Sequence, residues 1–180
     1  MKLLKWLLGG LAAFIVVIIG IAYSLPNEYG VTRSITINAR PDQIYPYISA
    51  PKEWKKWSVW NQRDPAMTMT YSGPEYGDGA TWEWQSKSEG NGGMKFQQVI
   101  ANHEVGYELH FEGMGKPSTG ALTLLEEGKG TKLTWTMLGT SEGNLMTKLF
   151  APFMDKLVGP DFQAGLENLK TLVETNQAKQ

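Results

Sequence analysis

"EVGYELHFEG", residues 104–113, alternates without a break. Val105, Tyr107, Leu109 and Phe111 fall on one side of an extended chain, and Glu108, His110 and Glu112 fall on the other. Side chains at i and i+2 project from the same face of a strand, so this stretch reads as a β-strand with one apolar, aromatic face and one polar face. Strands of that kind build an antiparallel sheet with one solvated side. Something else in the chain must then cover the other side.

The pattern repeats in both directions. "MTMTYSG" (67–73), "ATWEWQS" (80–86), "GMKFQQVIA" (93–101), "GALTLLEEG" (120–128) and "TKLTWTMLG" (131–139) are all strand-like, and "GPEYGDG", "EGNGG" and "EEGKG" separate them as turns. Alternation puts Trp82 and Trp84 on one face with Glu83 opposite, groups Met94, Phe96, Gln98 and Ile100, and groups Leu133, Trp135 and Met137. "VTRSITI" (31–37) supplies one more strand ahead of these. "ARPDQIYPYIS" and "APKEWKKW" come after it as two short helices or turns, each with proline near its start.

The C-terminus offers the cover. "NLMTKLFAPFMDKLVG" (144–159) is helical in texture, with a break expected at Pro152. In "GPDFQAGLENLKTLVETNQ" (159–177), Asp161 reads as the N-cap, and Phe162, Leu166, Leu169 and Val173 form an apolar stripe at helical spacing. One long helix laid on an antiparallel sheet is an α+β arrangement.

The N-terminus has a different texture. From Trp6 to Leu25 the chain carries no charge over about the length that crosses a hydrocarbon core, and Lys2 and Lys5 precede it. Trp6 and Tyr23 stand at the two ends, where amphipathic rings favour the membrane interface. A cleaved signal peptide is the alternative, with "AYS" (22–24) as its processing site. The long apolar stretch favours an uncleaved anchor. The lysines then place the N-terminus in the cytoplasm and the rest of the chain on the outer, extracytoplasmic side of an inner or plasma membrane. The domain reading is an anchor over 1–25, a link over 26–30 and one folded domain over 31–177.

Composition excludes several function classes. The chain has 180 residues, 17 basic and 18 acidic, with net charge −1. That is room for one core, and no clustered basic face marks a nucleic-acid partner. There is no cysteine, so disulfides, thiolate metal sites and a cysteine nucleophile are excluded. "GTSEG" (139–143) matches the nucleophile-elbow pattern, but both histidines, His103 and His110, precede Ser141, which breaks the hydrolase order. His110 with Glu108 and Glu112 shares one strand face, the one expected to meet water, so no metal site is assigned. "GNGG", "GMGKPSTG" and "EEGKG" lack phosphate-loop and dinucleotide patterns and read as hairpin turns. Glu83 is sent outward by the alternation.

Three tryptophans recur at intervals of three in "EWKKWSVW" (53–60): Trp54, Trp57 and Trp60. Lysines beside them leave an interfacial membrane grip open, but the stretch is short and bounded by prolines. Core or cavity wall is the preferred reading.

The segments "VTRSITINARPDQIYPYIS" and "WKKW", then "YSGPEYGDGATWEW", then "DFQAGLENLK" together resemble the START-like (SRPBCC, helix-grip) superfamily. More narrowly, they resemble its polyketide cyclase/dehydrase and lipid-transport family. The resemblance covers about residues 30 to 176. It implies a curved antiparallel sheet of about seven strands wrapped on the long C-terminal helix, with a cavity between them. It implies no shared catalytic residue, and the N-terminal span departs from the soluble members.

The leading expectation is a membrane-anchored domain that binds a hydrophobic or amphipathic small molecule, lipids included. Its walls are expected from Trp82, Trp84, Phe96, Tyr107, Phe111, Trp135, Phe162 and Leu166, with "NLMTKLFAPFM" as a lid. No catalytic residue, metal or cofactor is assigned. A cyclase- or dehydratase-type enzyme using the same cavity is the alternative, with Tyr107 as its best inward group. A protein-interaction module is the third reading.

Overall fold

The alternating stretches pair into one seven-stranded antiparallel sheet in the computed structural model, which describes residues 2–178. The strands are β1 (Glu28–Ile37), β2 (Thr68–Ser72), β3 (Thr81–Gln85), β4 (Gly92–Ile100), β5 (Glu104–Phe111), β6 (Ser118–Glu127) and β7 (Gly130–Thr140). Their order is β1-β7-β6-β5-β4-β3-β2. Strands β2 to β7 form a meander, and β1 closes onto β7, with Val31 opposite Met137 and Ile35 opposite Leu133. β1 starts at Glu28, so it takes in part of the stretch read as a link.

Among the described residues six helices accompany the sheet: α1 (Lys2–Ser24), α2 (Pro41–Ser49), α3 (Pro51–Trp54), α4 (Val59–Arg63), α5 (Leu145–Phe150) and α6 (Met154–Gln177), with a 3-10 turn over Ala151–Phe153. Prolines open α2 and α3, where a missing N–H costs nothing. The three short helices α2–α4 carry the chain from one sheet edge, β1, to the other, β2. Thus "WKKW" crosses the inner face of the sheet rather than its rim.

Helix α6 covers that inner face. Phe162, Leu166, Leu169 and Val173 are all buried, as the stripe predicts. Polar contacts fix the helix to β1: Lys170 Nζ donates to the Thr36 carbonyl at 2.8 Å, and the Asn38 amide donates to Glu174 at 2.9 Å. The helix does not begin at Asp161. It starts at Met154 and runs through Gly159 and Pro160. Asp161 pairs with Arg63 instead of capping. A side chain at Gly159 would overlap the Arg33 guanidinium, which reaches across to Asp155 at 2.7 Å. The bare glycine and its bridge carry the helix past a proline that removes one backbone donor. The break expected at Pro152 is present as the 3-10 turn.

Strand β4 departs from simple alternation. Gln97 and Gln98 together oppose Gly106, and Gln98 has φ of +55°. This is a β-bulge, and it reverses the facing of the residues beyond it. Val99 turns toward the core opposite Val105, while Ile100 and Gln98 face solvent, against the expected grouping with Met94 and Phe96. A Cβ on Gly106 would lie 2.5 Å from the Gln97 carbonyl oxygen, so the bulge requires glycine across from it.

The sheet curls around the tryptophans. The Trp54 ring centroid lies 5.3 Å from Trp82 on β3 and 5.5 Å from Trp135 on β7. Four strand spacings separate β3 from β7, roughly 19 Å in a flat sheet. One ring meets both because the sheet wraps it.

Candidate ligand-binding site

Between the sheet, α3–α4 and the first turns of α6 lies a cavity of about 180 Å³. An engineered cavity of about 150 Å³ holds a benzene-sized guest, whereas drug-sized ligands need roughly 300 Å³ or more. The closed space therefore suits one ring or a short apolar segment, and the rest of a longer molecule would extend through the mouth. Its exposed lining residues, Met114 and Lys116 on the β5–β6 loop, mark the mouth, with the half-buried Glu89 of the β3–β4 loop and Met154 at the start of α6 also in the lining.

Of the eight residues expected in the wall, the structure brings six together. Trp82, Trp84, Tyr107, Phe111, Trp135 and Phe162 all line the cavity. Phe96 and Leu166 do not. Phe96 is fully buried behind the wall, with its ring 5.2 Å from Trp82 and 5.9 Å from Trp54. Leu166 lies one helical turn below Phe162, on the closed side, and is also fully buried.

The tryptophans of "EWKKWSVW" divide. Trp57 is completely buried core; its ring is 4.5 Å from Trp54, and its Nε1 donates to the Tyr47 carbonyl at 3.1 Å. Trp54 and Trp60 line the cavity. Trp54 is the hub of the aromatic cluster, with its Nε1 satisfied by the Ile48 carbonyl at 2.9 Å. The Phe162 ring stacks on Trp135 at 3.9 Å and 13°. A membrane grip by Trp54 and Trp57 is excluded by this burial.

Glycines shape the floor. Tyr29 lies directly opposite Gly139, Trp84 opposite Gly92 and Tyr107 opposite Gly120 across their strand pairs. In each pair a Cβ on the glycine would collide with the facing ring. The absent side chain lets the ring lie over the neighbouring strand, so an aromatic surface floors the cavity. Gly92 and Gly120 are therefore strand residues and not parts of hairpin turns.

Methionine is the second wall material. Six of the eight methionines, Met67, Met69, Met94, Met114, Met137 and Met154, line the cavity. Unbranched thioethers adapt to differently shaped apolar guests. Alternation marks Met94 and Met137 as inward residues, but it does not reveal that methionine concentrates around one space.

Polar chemistry inside is sparse and engaged. The Tyr107 hydroxyl donates to the Thr136 carbonyl at 2.7 Å and accepts from Trp135 Nε1 at 3.0 Å. Burial pushes its pKa well above that of an ordinary phenol. It is therefore a structural link between β5 and β7 and not an acid or base poised near neutral pH. Glu89, an ionisable wall residue the alternation does not find, faces Arg63 at 3.4 Å; Arg63 also pairs with Asp161. Glu83, Glu108 and His110 point to solvent on the outer face. Ser141 is buried with its hydroxyl donating to the Asn27 carbonyl at 3.0 Å, which fits a strand-end anchor and no nucleophile. No group of three metal-ligating side chains is clustered among the described residues.

Helix α1 stands apart from this cavity. Residues 4–24 are long and apolar enough to cross a membrane, and most of their side chains are exposed. By length and composition the segment fits an anchor or a signal sequence.

Comparison with curated protein sequences returns no match. Solved structures with the same fold include a Thalictrum flavum norcoclaurine synthase point mutant in complex with a transition-state analogue. It aligns at TM-score 0.65 and 16% identity over 83% of this chain and 96% of that one. The di-domain ARO/CYC StfQ of the steffimycin biosynthetic pathway aligns at TM-score 0.63 and 10% identity, covering 84% of this chain and 52% of that one. A Chromobacterium violaceum protein aligns at TM-score 0.60 and 16% identity over 81% and 96%. At these identities the likeness is one of fold. The family model described as polyketide cyclase / dehydrase and lipid transport matches residues 29–174, nearly the whole of the sheet and its helix, and the chain belongs to that family.

Proposed function

We propose that this protein binds a hydrophobic or amphipathic small molecule, lipids included, in the cavity between sheet and α6 while α1 anchors it to a membrane. The observation that carries the reading is the cavity itself: about 180 Å³, floored by aromatic rings, walled by methionines and open at one end. Burial of the guest's apolar surface would drive binding at about 25 cal/mol per Å². Trp82, Trp84, Tyr107, Phe111, Trp135 and Phe162 are the proposed contact residues, and Glu89 and Lys116 at the mouth would meet a polar end. In this reading residues 1–25 are the anchor, with the domain on the extracytoplasmic side.

Neighbours named as a synthase and as an ARO/CYC protein support an enzymatic alternative. Carriage is preferred because the inward hydroxyl of Tyr107 is fully engaged and the one carboxylate in the wall, Glu89, faces a guanidinium. Mass spectrometry of the organic extract of the detergent-purified chain tests the reading. A recurring apolar compound in stoichiometric amount supports it, and an extract matching a mock purification counts against it.

A further inference from the structure

We propose that the exposed apolar face running from α5 into the start of α6 lies on the bilayer, so that the cavity opens to the lipid phase. This rests on the reading of α1 as a membrane anchor. Met146 is 62% exposed, Phe150 50%, Phe153 53% and Leu157 56%. Single exposed apolar residues are common, but large ones gathered on twelve consecutive residues mark an interaction surface.

Three observations name lipid as the occupant. First, the end of α1 rests against α5, where Lys148 Nζ lies 5.7 Å from the Tyr23 ring centroid. Only residues 25–27 separate α1 from β1, a reach of about 10 Å, so α5 is held at the level where α1 leaves the hydrocarbon. Second, the charges suit an anionic headgroup layer. Lys148 and Lys156 lie within the stretch, while Asp155 and Glu142 are held by Arg33 and Lys116. Basic residues among aromatic and aliphatic ones are the composition of interfacial segments. Third, the face continues into the cavity. Thr147 Oγ1 donates to the Met114 carbonyl at 3.4 Å and Asn144 Nδ2 to the Gly113 carbonyl at 3.3 Å, which ties α5 to the β5–β6 loop. Met114, exposed on the β5–β6 loop, and Met154, half-buried between Phe153 and Leu157, both line the cavity beside this face. A guest leaving the bilayer there would pass along apolar side chains without crossing water.

The absence of cysteine makes the test clean. Nitroxide labels are placed by Met146→Cys and Phe150→Cys on the face, Val16→Cys in α1 and Glu108→Cys on the outer sheet. The full chain is reconstituted in vesicles of phosphatidylcholine and phosphatidylglycerol. Oxygen concentrates in lipid and a nickel chelate in water, so the ratio of their collision rates reads depth. The proposal expects the face labels to follow Val16, with oxygen dominant, and Glu108 to show the reverse. Face labels in water with Val16 in lipid would overturn docking and leave the anchor standing. All labels in water would overturn the anchor and docking together. Face labels shielded from both reagents would mean that a protein neighbour, not lipid, covers the face, and would also overturn the proposal.

Discussion

Trp57 and Trp84 differ in what surrounds them, and replacing each by alanine should separate stability from binding. Trp57 has no exposed surface, packs against Trp54 at 4.5 Å and Trp135 at 5.5 Å, and gives its N–H to Tyr47. Removing about 200 Å² of buried indole at about 25 cal/mol per Å² comes to about 5 kcal/mol, at the top of the range seen for such truncations. Trp84 is half-buried, and its one ring partner among the described residues is Phe111 at 5.5 Å. Its cavity side already lacks neighbours, so truncation should cost about 2 kcal/mol. The gap of about 3 kcal/mol corresponds to roughly 1–2 M in the urea midpoint, for a slope of about 2 kcal/mol/M. Urea titration of the full chain in detergent micelles, monitored by circular dichroism, measures it. The order inverts for binding. A guest covering about 50 Å² of the Trp84 ring would lose about 1.3 kcal/mol, roughly tenfold in affinity. Equal destabilisation by the two variants, within about 0.5 kcal/mol, would refute the division into packed and cavity-facing tryptophans.

Other contacts carry their own expected outcomes. Tyr107→Phe should cost about 1–3 kcal/mol by leaving Trp135 Nε1–H and the Thr136 carbonyl without their partner. The folded state holds the Tyr107 proton more tightly than the unfolded chain. This contribution is full below the unfolded phenol pKa of about 10 and falls as pH rises through the folded value, so Tyr107→Phe should flatten the alkaline limb of a stability profile. Asp155 behaves oppositely. Its hydrogen bonds to Arg33 lower its pKa, so its contribution is present above the ordinary carboxylate pKa of about 3.9 and is lost as pH falls through the folded value. Asp155→Asn should therefore shrink the acid limb; an unchanged limb means that the pair is idle. Alkaline extraction should leave the chain in the membrane fraction at full length, and a shortened soluble product would identify a signal sequence. A chain beginning at Asn27 should fold alone, because about 150 residues suffice for one core; aggregation rescued by restoring α1 would contradict this.

Alternation makes most of the sheet legible. In β5 and β7 it identifies the inward apolar residues, because period two holds without interruption from Val105 to Phe111 and from Leu133 to Met137; the buried Thr131, one step earlier on the same face of β7, carries no apolar signal. It fails at Gln97–Gln98, where the bulge depends on Gly106 in the next strand, a partner that local pattern does not display. The apolar stripe locates helix α6 but not its start. Gly159-Pro160 looks like a boundary until Arg33 is seen to occupy the space beside the glycine. The cavity is half legible. Strand faces and the helix stripe supply nine of its wall residues, the six expected there and Met94, Leu109 and Met137, but Trp54, Trp60 and Met154 arrive from the crossing helices and the mouth, and their depth depends on how the sheet curls. The aromatic-over-glycine pairs are hidden for the same reason: each joins residues on different strands, and glycines near turns read as turns.

The central claim is that the space beneath Trp82, Trp84 and Trp135 takes an apolar guest. The most direct measurement is titration of the full chain in lipid nanodiscs with a fluorescent fatty-acid-like probe, with empty nanodiscs as the blank. The account predicts saturable, one-to-one binding that changes tryptophan emission and weakens in Trp84→Ala. Probe uptake indistinguishable from that of empty nanodiscs, with unaltered tryptophan emission, would contradict it.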